Sequence, residues 1–105
     1  MVIFIIFIFF LMQHLDYDIN MQTKSGKTIL HIACENIGKN NQDFTFLDNL
    51  LKKKSIKILS DNAKQNPIDI FQKKFQDLAA LEHLDLGYMY KKIVRKMNTI
   101  LKKQK

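Results

Sequence analysis

The stretch from Ser25 to Cys34, Ser-Gly-Lys-Thr-Ile-Leu-His-Ile-Ala-Cys, constrains the fold more than any other part of the sequence. Gly26 supplies a turn position at which a positive φ costs no Cβ clash. The hydroxyl of Thr28 can cap the amides left unpaired in a first helical turn. An apolar helix face then follows at i, i+3 and i+4 spacing. Because two of its three members are small, we expect a second helix to approach closely. The face consists of Leu30, Ala33 and Cys34.

This pattern resembles the ankyrin repeat, whose first helix opens with Thr-Pro-Leu-His-x-Ala. Asp18-Ile19-Asn20 stands where the family begins its hairpin, and Thr23 replaces the usual turn aspartate. Ile29 replaces the family's proline and Cys34 replaces its second alanine. The resemblance implies an all-α fold of stacked helix-turn-helix repeats with short hairpin loops. The positions that match the family are Gly26, Thr28, Leu30, His31 and Ala33.

A second, degenerate unit begins roughly 38 residues after the first, counted along the same pattern. Asp61 falls on the hairpin aspartate, and Pro67-Ile68 falls on the family's Pro-Leu. Proline suits a first helical position because its missing N–H would be unpaired there. The resemblance thus divides the chain into four parts. Residues 1–17 form a partial first repeat, and residues 18–60 form a repeat with a polar loop insertion at 37–43. Residues 61–84 form a degenerate repeat, and residues 85–105 form a C-terminal helix. The departures are Lys64 for glycine, Asn66 for threonine, Asp69 for histidine and Phe71 for alanine.

Three further helices are predicted from apolar spacing. Phe44 to Leu51 places Phe46, Leu47, Leu50 and Leu51 on one face, and Asp77 to Leu84 places Leu78, Leu81 and Leu84 on one stripe. After a break at Gly87, the remainder has the period of one amphipathic helix. Its predicted apolar stripe contains Leu86, Tyr90, Ile93, Val94, Met97, Ile100 and Leu101, and its predicted basic side contains Lys91, Lys92, Arg95 and Lys96.

The segment Val2–Met12 consists of eleven apolar residues without charge. A membrane-spanning helix needs about 20 such residues, and a signal peptide needs a basic start and small residues at its cleavage site. In this sequence the first basic residue is Lys24 and the first alanine is Ala33. We expect the second helix of an incomplete first repeat, because residues 10–20 resemble the end of that helix in the family. A membrane or secretory role and a strand remain the alternatives.

The net charge of +7 lies almost entirely in the C-terminal part of the chain. Residues 84–105 carry seven Lys or Arg against Asp85, whereas residues 1–83 carry ten Lys against nine acids. A basic amphipathic helix suits the outer face of a capping helix, and it also suits a lipid or acidic protein surface. The run Lys52-Lys53-Lys54 likewise suits a solvent-exposed face or a lipid or acidic protein surface. With few aromatic residues among the charges, nucleic acid is not the expected partner.

Two phosphate- or metal-binding patterns are incomplete. Gly26-Lys27-Thr28 resembles the end of a phosphate-binding loop, but Met21 stands where that loop needs its first glycine. Asp16, Asp18 and Asn20 match the first ligands of a calcium loop, but Met21 and Lys27 replace its glycine and its bidentate glutamate. We therefore expect no metal, no cofactor and no small-molecule substrate.

His31 and Cys34 lie at i and i+3, so an imidazole and a thiol could meet. A catalytic pair also needs an exposed thiolate and an orienting third group. We expect instead that His31 holds the hairpin through hydrogen bonds and that Cys34 packs as a small apolar residue. His14 and His83 have no metal-ligand spacing to each other or to Cys34. A single cysteine forms no intrachain disulfide, which fits a cytoplasmic protein.

The resemblance implies a protein-binding module without catalytic activity of its own. In this family the hairpin tips and the exposed side of the first helix grip the partner. The alternative function is a small membrane-associated helical protein that uses Val2–Met12 and the basic C-terminal helix as its contacts. The matching binding positions are Gln22, Lys24, Ser25, Lys27, Glu35 and Asn36 in the first unit and Asn62, Ala63, Gln65, Lys73 and Lys74 in the degenerate unit.

Overall fold

The computed structural model describes residues 19–104, apart from the side chain of Leu78, and every regular element within this range is an α-helix. The predicted all-α class is therefore confirmed for the described residues. The predictions for Val2–Met12 and for His14, Asp16 and Asp18 lie outside them. The helices are α1 (Ile29–Asn36), α2 (Asn41–Leu50), α3 (Pro67–Lys74), α4 (Leu78–His83) and α5 (Gly87–Lys103).

Helices α1 and α3 begin in the same way, with a reciprocal cap. Thr28 precedes α1, and its side-chain oxygen accepts from the backbone N–H of His31 while its own N–H donates to Nδ1 of the same imidazole. Asn66 and Asp69 exchange the equivalent pair of hydrogen bonds at 2.9 and 3.2 Å before α3. Each exchange satisfies two amides that a helix start leaves unpaired. The replacement of Thr and His by Asn and Asp therefore preserves the helix start.

The polar loop after α1 is shorter than predicted. Helix α2 already begins at Asn41, so residues 41–43 are helical and the loop covers 37–40. Asn40 caps the helix by accepting a hydrogen bond of 2.8 Å from the N–H of Asp43. The Asp43 carboxylate in turn accepts from the N–H of Gly38 at 2.7 Å. The prediction of a loop to residue 43 is wrong, because the polar side chains in this stretch cap the start of α2 and do not continue the loop.

Helix α1 packs against α2 and α3, and α5 packs against α2, α3 and α4. An aromatic cluster lies where these helices meet, and Phe71 is at its centre. The Phe71 ring lies 5.8 Å from Phe44 and 5.1 Å from both Phe75 and Tyr90. Phe71 is fully buried. Phe44, which the predicted stripe of α2 left out, is fully buried as well.

The predicted apolar stripe of α5 is confirmed. Ile93 and Met97 are fully buried, Leu86 is almost fully buried, and Tyr90, Val94, Ile100 and Leu101 are partly buried against the same core. Leu84, which the sequence predicts on one stripe of α4 with Leu78 and Leu81, is instead the residue that ends this helix, and it is 49% exposed.

The chain reverses between α4 and α5 at Asp85 and not at Gly87. Asp85 has φ +58°, and Gly87 is already the first residue of α5. The N–H of Asp85 donates to the carbonyl of Glu82 at 3.0 Å, and that of Leu86 donates to the carbonyl of Leu81 at 2.8 Å. These two bonds and the left-handed residue define a Schellman motif. Leu81 and Leu86, which are both buried, supply the apolar contact that accompanies it.

Candidate functional site

Two turns of the same geometry precede α1 and α3, and we call residues 23–27 the first tip and residues 61–65 the second tip. In the first tip, the N–H of Thr23 donates to the carbonyl of Lys27 at 2.8 Å. In the second, the N–H of Asp61 donates to the carbonyl of Gln65 at 2.9 Å. The two tips therefore close with equivalent hydrogen bonds.

The fourth residue of each tip has a positive φ, at +83° for Gly26 and +63° for Lys64. A left-handed lysine costs free energy that glycine does not. The Asp61 carboxylate holds this turn by accepting from the N–H groups of Ala63 and Gln65, both at 2.9 Å. The second tip thus keeps the turn of the first without its glycine.

The tips are hydrogen-bonded to each other through Asn62. Its backbone N–H donates to the carbonyl of Ser25 at 2.9 Å, and its side-chain amide donates to the carbonyl of Lys24 at 2.8 Å. The side-chain amide of Gln22 bridges the carbonyls of Gly26 and Ser60 at 2.8 and 3.3 Å. These bonds fix the position of one turn relative to the next.

His31 couples the first helix to the second tip from inside the protein. Its ring is fully buried, and Nδ1 accepts from the N–H of Thr28 at 3.0 Å. Nε2 therefore carries the proton and donates to the carbonyl of Gln65 at 3.0 Å. The predicted role of His31 as a hydrogen-bonding holder of the turn is confirmed.

The predicted binding residues divide into an exposed group and a half-buried group. Lys24 and Ser25 are exposed on the first tip and Gln22 is exposed directly before it, while Asn62, Ala63 and Gln65 are exposed on the second tip. The hydrogen bonds of Asn62 bring these two trios onto one surface. The half-buried group is Lys27, Glu35 and Asn36, and Lys73 and Lys74 are exposed on α3.

The half-buried group is engaged within the protein. Lys27 and Glu35 form an ion pair of 2.8 Å, and the hydrogen bond and charge of Glu35 raise the pKa of the Lys27 ammonium. Lys74 donates to the backbone carbonyl of Glu35, and the side chain of Asn36 donates to the carbonyl of Ile32 at 2.8 Å. A partner that contacts this group would compete with bonds that already exist.

The pair of His31 and Cys34 does not form a nucleophilic site. Cys34 is fully buried, and burial raises the pKa of its thiol. A nucleophilic cysteine requires a lowered pKa and access to solvent. The prediction that Cys34 packs as a small apolar side chain is therefore confirmed.

Two residues of the incomplete phosphate-loop motif Gly26-Lys27-Thr28 have structural roles in this fold. Lys27 is committed to Glu35, and Thr28 caps α1. Within residues 19–104, no group of three or more His, Cys, Asp or Glu could hold a metal ion. The same part of the chain contains no helix of the length and apolarity that a membrane span requires.

One charged cluster was missed by the sequence analysis. Asp48 of α2 is 8% exposed at its side chain and faces three lysines. Its carboxylate lies 2.5 Å from Lys96, 3.7 Å from Lys92 and 3.8 Å from Lys52. Burial alone would raise the pKa of Asp48, but the hydrogen bond from Lys96 and the three positive charges outweigh it and lower the pKa. Only the i, i+4 spacing of Asp48 and Lys52 could have indicated this cluster in advance.

Two of the four residues predicted for the solvated basic side of α5 are thus partly buried at a helix interface. Lys92 and Lys96 bind Asp48, while Lys91 and Arg95 are exposed.

In comparisons with known proteins, no family model, no curated protein and no solved structure matches this chain.

Proposed function

We propose that this protein is an ankyrin-type repeat module that binds another protein through its tips and has no catalytic activity of its own. The observation that carries the proposal is the hydrogen bonding between successive tips. Asn62 joins the tips at the surface, and His31 joins α1 to the second tip in the interior. Both joints connect residues 34 to 38 positions apart, as adjacent repeats of one pattern would require.

The exposed tip residues support a binding role because the turns that carry them are held in place. Lys24, Ser25 and Ala63 are exposed, and the backbone of each tip is closed by internal hydrogen bonds. A surface that is already ordered loses little conformational entropy on binding. Two adjacent tips form a small surface, so we expect modest affinity.

Cross-linking from defined positions tests this proposal. A photoreactive amino acid replaces Lys24 or Ala63 at the tips, and it replaces Glu82 or Tyr88 as exposed controls on α4 and α5. We expect both tip positions to cross-link to the same protein in cells that express the chain, and the controls to yield little of that product. Equal yields from all four positions, or cross-links from the controls alone, would contradict a tip-centred site.

A further inference from the structure

A groove of about 990 Å³ lies between the segment that follows α2 and the C-terminal end of α5. Its apolar lining consists of Leu51, Ile56, Leu59 and Ile100. Four lysines surround this lining, and no Asp or Glu is among the lining residues within 19–104. The groove therefore concentrates positive charge from two parts of the chain that are far apart in sequence. These lysines, which we call the groove lysines, are Lys53, Lys54, Lys57 and Lys103.

Among the described residues, the ammonium groups of the groove lysines form no ion pair and no hydrogen bond. The neighbouring lysines differ in this respect. Lys52, Lys92 and Lys96 each form an ion pair with Asp48. That carboxylate is shared by three other cations, and within residues 19–104 no carboxylate pairs with a groove lysine.

The backbone that carries the groove lysines is held by side-chain amides on both sides. Gln104 accepts from the N–H of Ile58 at 2.5 Å and donates to the carbonyl of the same residue at 2.9 Å. Asn20 donates to the carbonyl of Ser55 at 2.6 Å and accepts from the N–H of Lys57 at 2.9 Å. Each amide therefore pairs with this segment as a strand neighbour would. The charges are placed on a segment with a fixed path.

We propose that this groove binds a small anionic ligand that carries two or more phosphate groups. Each ammonium offers three hydrogen-bond donors to phosphate oxygens, and four such groups around one concavity can contact several phosphates at once. The volume lies at the upper end of the range of small-molecule sites. None of the described residues that line the groove is aromatic, so these residues offer no stacking surface of the kind with which proteins bind single-stranded nucleic acid. The phosphates can belong to a soluble compound or to a lipid headgroup.

Calorimetric titration of the full chain with inositol 1,4,5-trisphosphate tests the site. The variant Lys54→Gln/Lys57→Gln removes two groove charges, and Lys39→Gln/Lys91→Gln removes two exposed charges from other surfaces. We expect the groove variant to bind about 25-fold more weakly, at about fivefold per lysine, and the control to bind within about twofold of the parent. Lys54→Arg/Lys57→Arg retains the charge, and we expect it to retain binding. Circular dichroism spectra of all three variants check that each keeps the helical fold, so that a loss of binding is not a loss of structure.

A second arm distinguishes the sources of the phosphate. Vesicles that contain phosphatidylinositol 4,5-bisphosphate are compared with phosphatidylserine vesicles of equal surface charge. Binding of the free headgroup without preference for the bisphosphate vesicles identifies a soluble ligand. Binding of both the free headgroup and the bisphosphate vesicles that depends on the groove lysines identifies a lipid headgroup. Absence of headgroup binding, or equal weakening in the groove and control variants, overturns the proposal. Tighter binding of a 12-nucleotide DNA or a glutamate-rich peptide through the same lysines also overturns it, in favour of another polyanion.

Discussion

Replacing Gly26 by valine should destabilise the protein much more than replacing Gly38 by valine. Gly26 has φ +83°, a conformation that costs a residue with a Cβ about 1–2 kcal/mol and costs a β-branched one more. Gly38 is outside this region. The backbone conformation alone therefore separates the two glycines.

The neighbours of the new side chain increase the difference. A Cβ on Gly26 would lie 2.7 Å from Oδ1 and 2.8 Å from the backbone N of Asn62, so the second tip would have to move. That movement breaks the two hydrogen bonds between the tips, each of which contributes about 0.5–1.5 kcal/mol. A Cβ on Gly38 would meet only the side chains of Asn40 and Asp43, at 3.0 and 3.3 Å, and these can shift. We expect the Gly26 variant to lose about 3–4 kcal/mol and the Gly38 variant about 1 kcal/mol.

Urea unfolding monitored by circular dichroism measures this difference. With a slope of about 1–1.5 kcal/mol per molar urea for a chain of this size, the two midpoints should differ by about 1.3–3 M. Gly26→Asn separates the two causes, because asparagine tolerates the left-handed region but still places a Cβ against Asn62. Equal midpoints for the two valine variants would refute the assignment of residues 23–27 as a turn that packs against the next turn.

Three further predictions concern single residues. Lys64→Gly should raise the free energy of unfolding by about 0.5 kcal/mol, because the strain of a positive φ that glycine relieves exceeds the free-energy cost of the conformational entropy that glycine adds to the unfolded chain. An unchanged urea midpoint would contradict backbone strain at this tip. Cys34→Ala should cost no more than about 1 kcal/mol and leave partner binding intact; loss of an activity with the fold retained would instead indicate a reactive thiol. Asp48→Asn should lose about 1.5–3 kcal/mol at pH 7. Because folding lowers the pKa of Asp48, its stabilisation is present above the unfolded pKa of about 3.9 and disappears as the pH falls through the folded value. Urea midpoints of the parent and of Asp48→Asn should therefore converge as the pH falls below about 4, and a difference that stays constant would contradict the assignment.

The parts of the fold that the sequence predicted are those governed by local spacing. The stripe that leads to Ile93 and Met97 follows the helix period, and both residues are fully buried. The cap at Thr28 and the helix start at Pro67 follow from residue types at fixed positions. In these cases the signal lies within one or two turns of the chain, where side-chain chemistry alone decides the backbone.

The parts that the sequence did not predict depend on distant partners or on one residue acting in place of another. Asp48 finds Lys96 across a helix interface, 48 positions along the chain. The groove lysines come together because Gln104 pairs with Ile58, which no local pattern indicates. Lys64 occupies a glycine position because Asp61 holds the turn with its carboxylate. Residue spacing alone indicates neither the two distant pairings nor the replacement of a glycine by Lys64.

The packing of α5 bears on the alternative of a membrane contact through the C-terminal helix. Its apolar stripe lies in the core, where Ile93 and Met97 are fully buried and Leu86 is 4% exposed. Inserting that stripe into lipid would require α5 to separate from α2, α3 and α4. The side chains of Ile93, Met97 and Leu86 each contribute about 1.5–3 kcal/mol to the packed state. Detachment would also leave Asp48 without Lys92 and Lys96. An anionic surface that this helix contacts must therefore be met by its exposed cations with the helix still packed, and such binding weakens as salt rises.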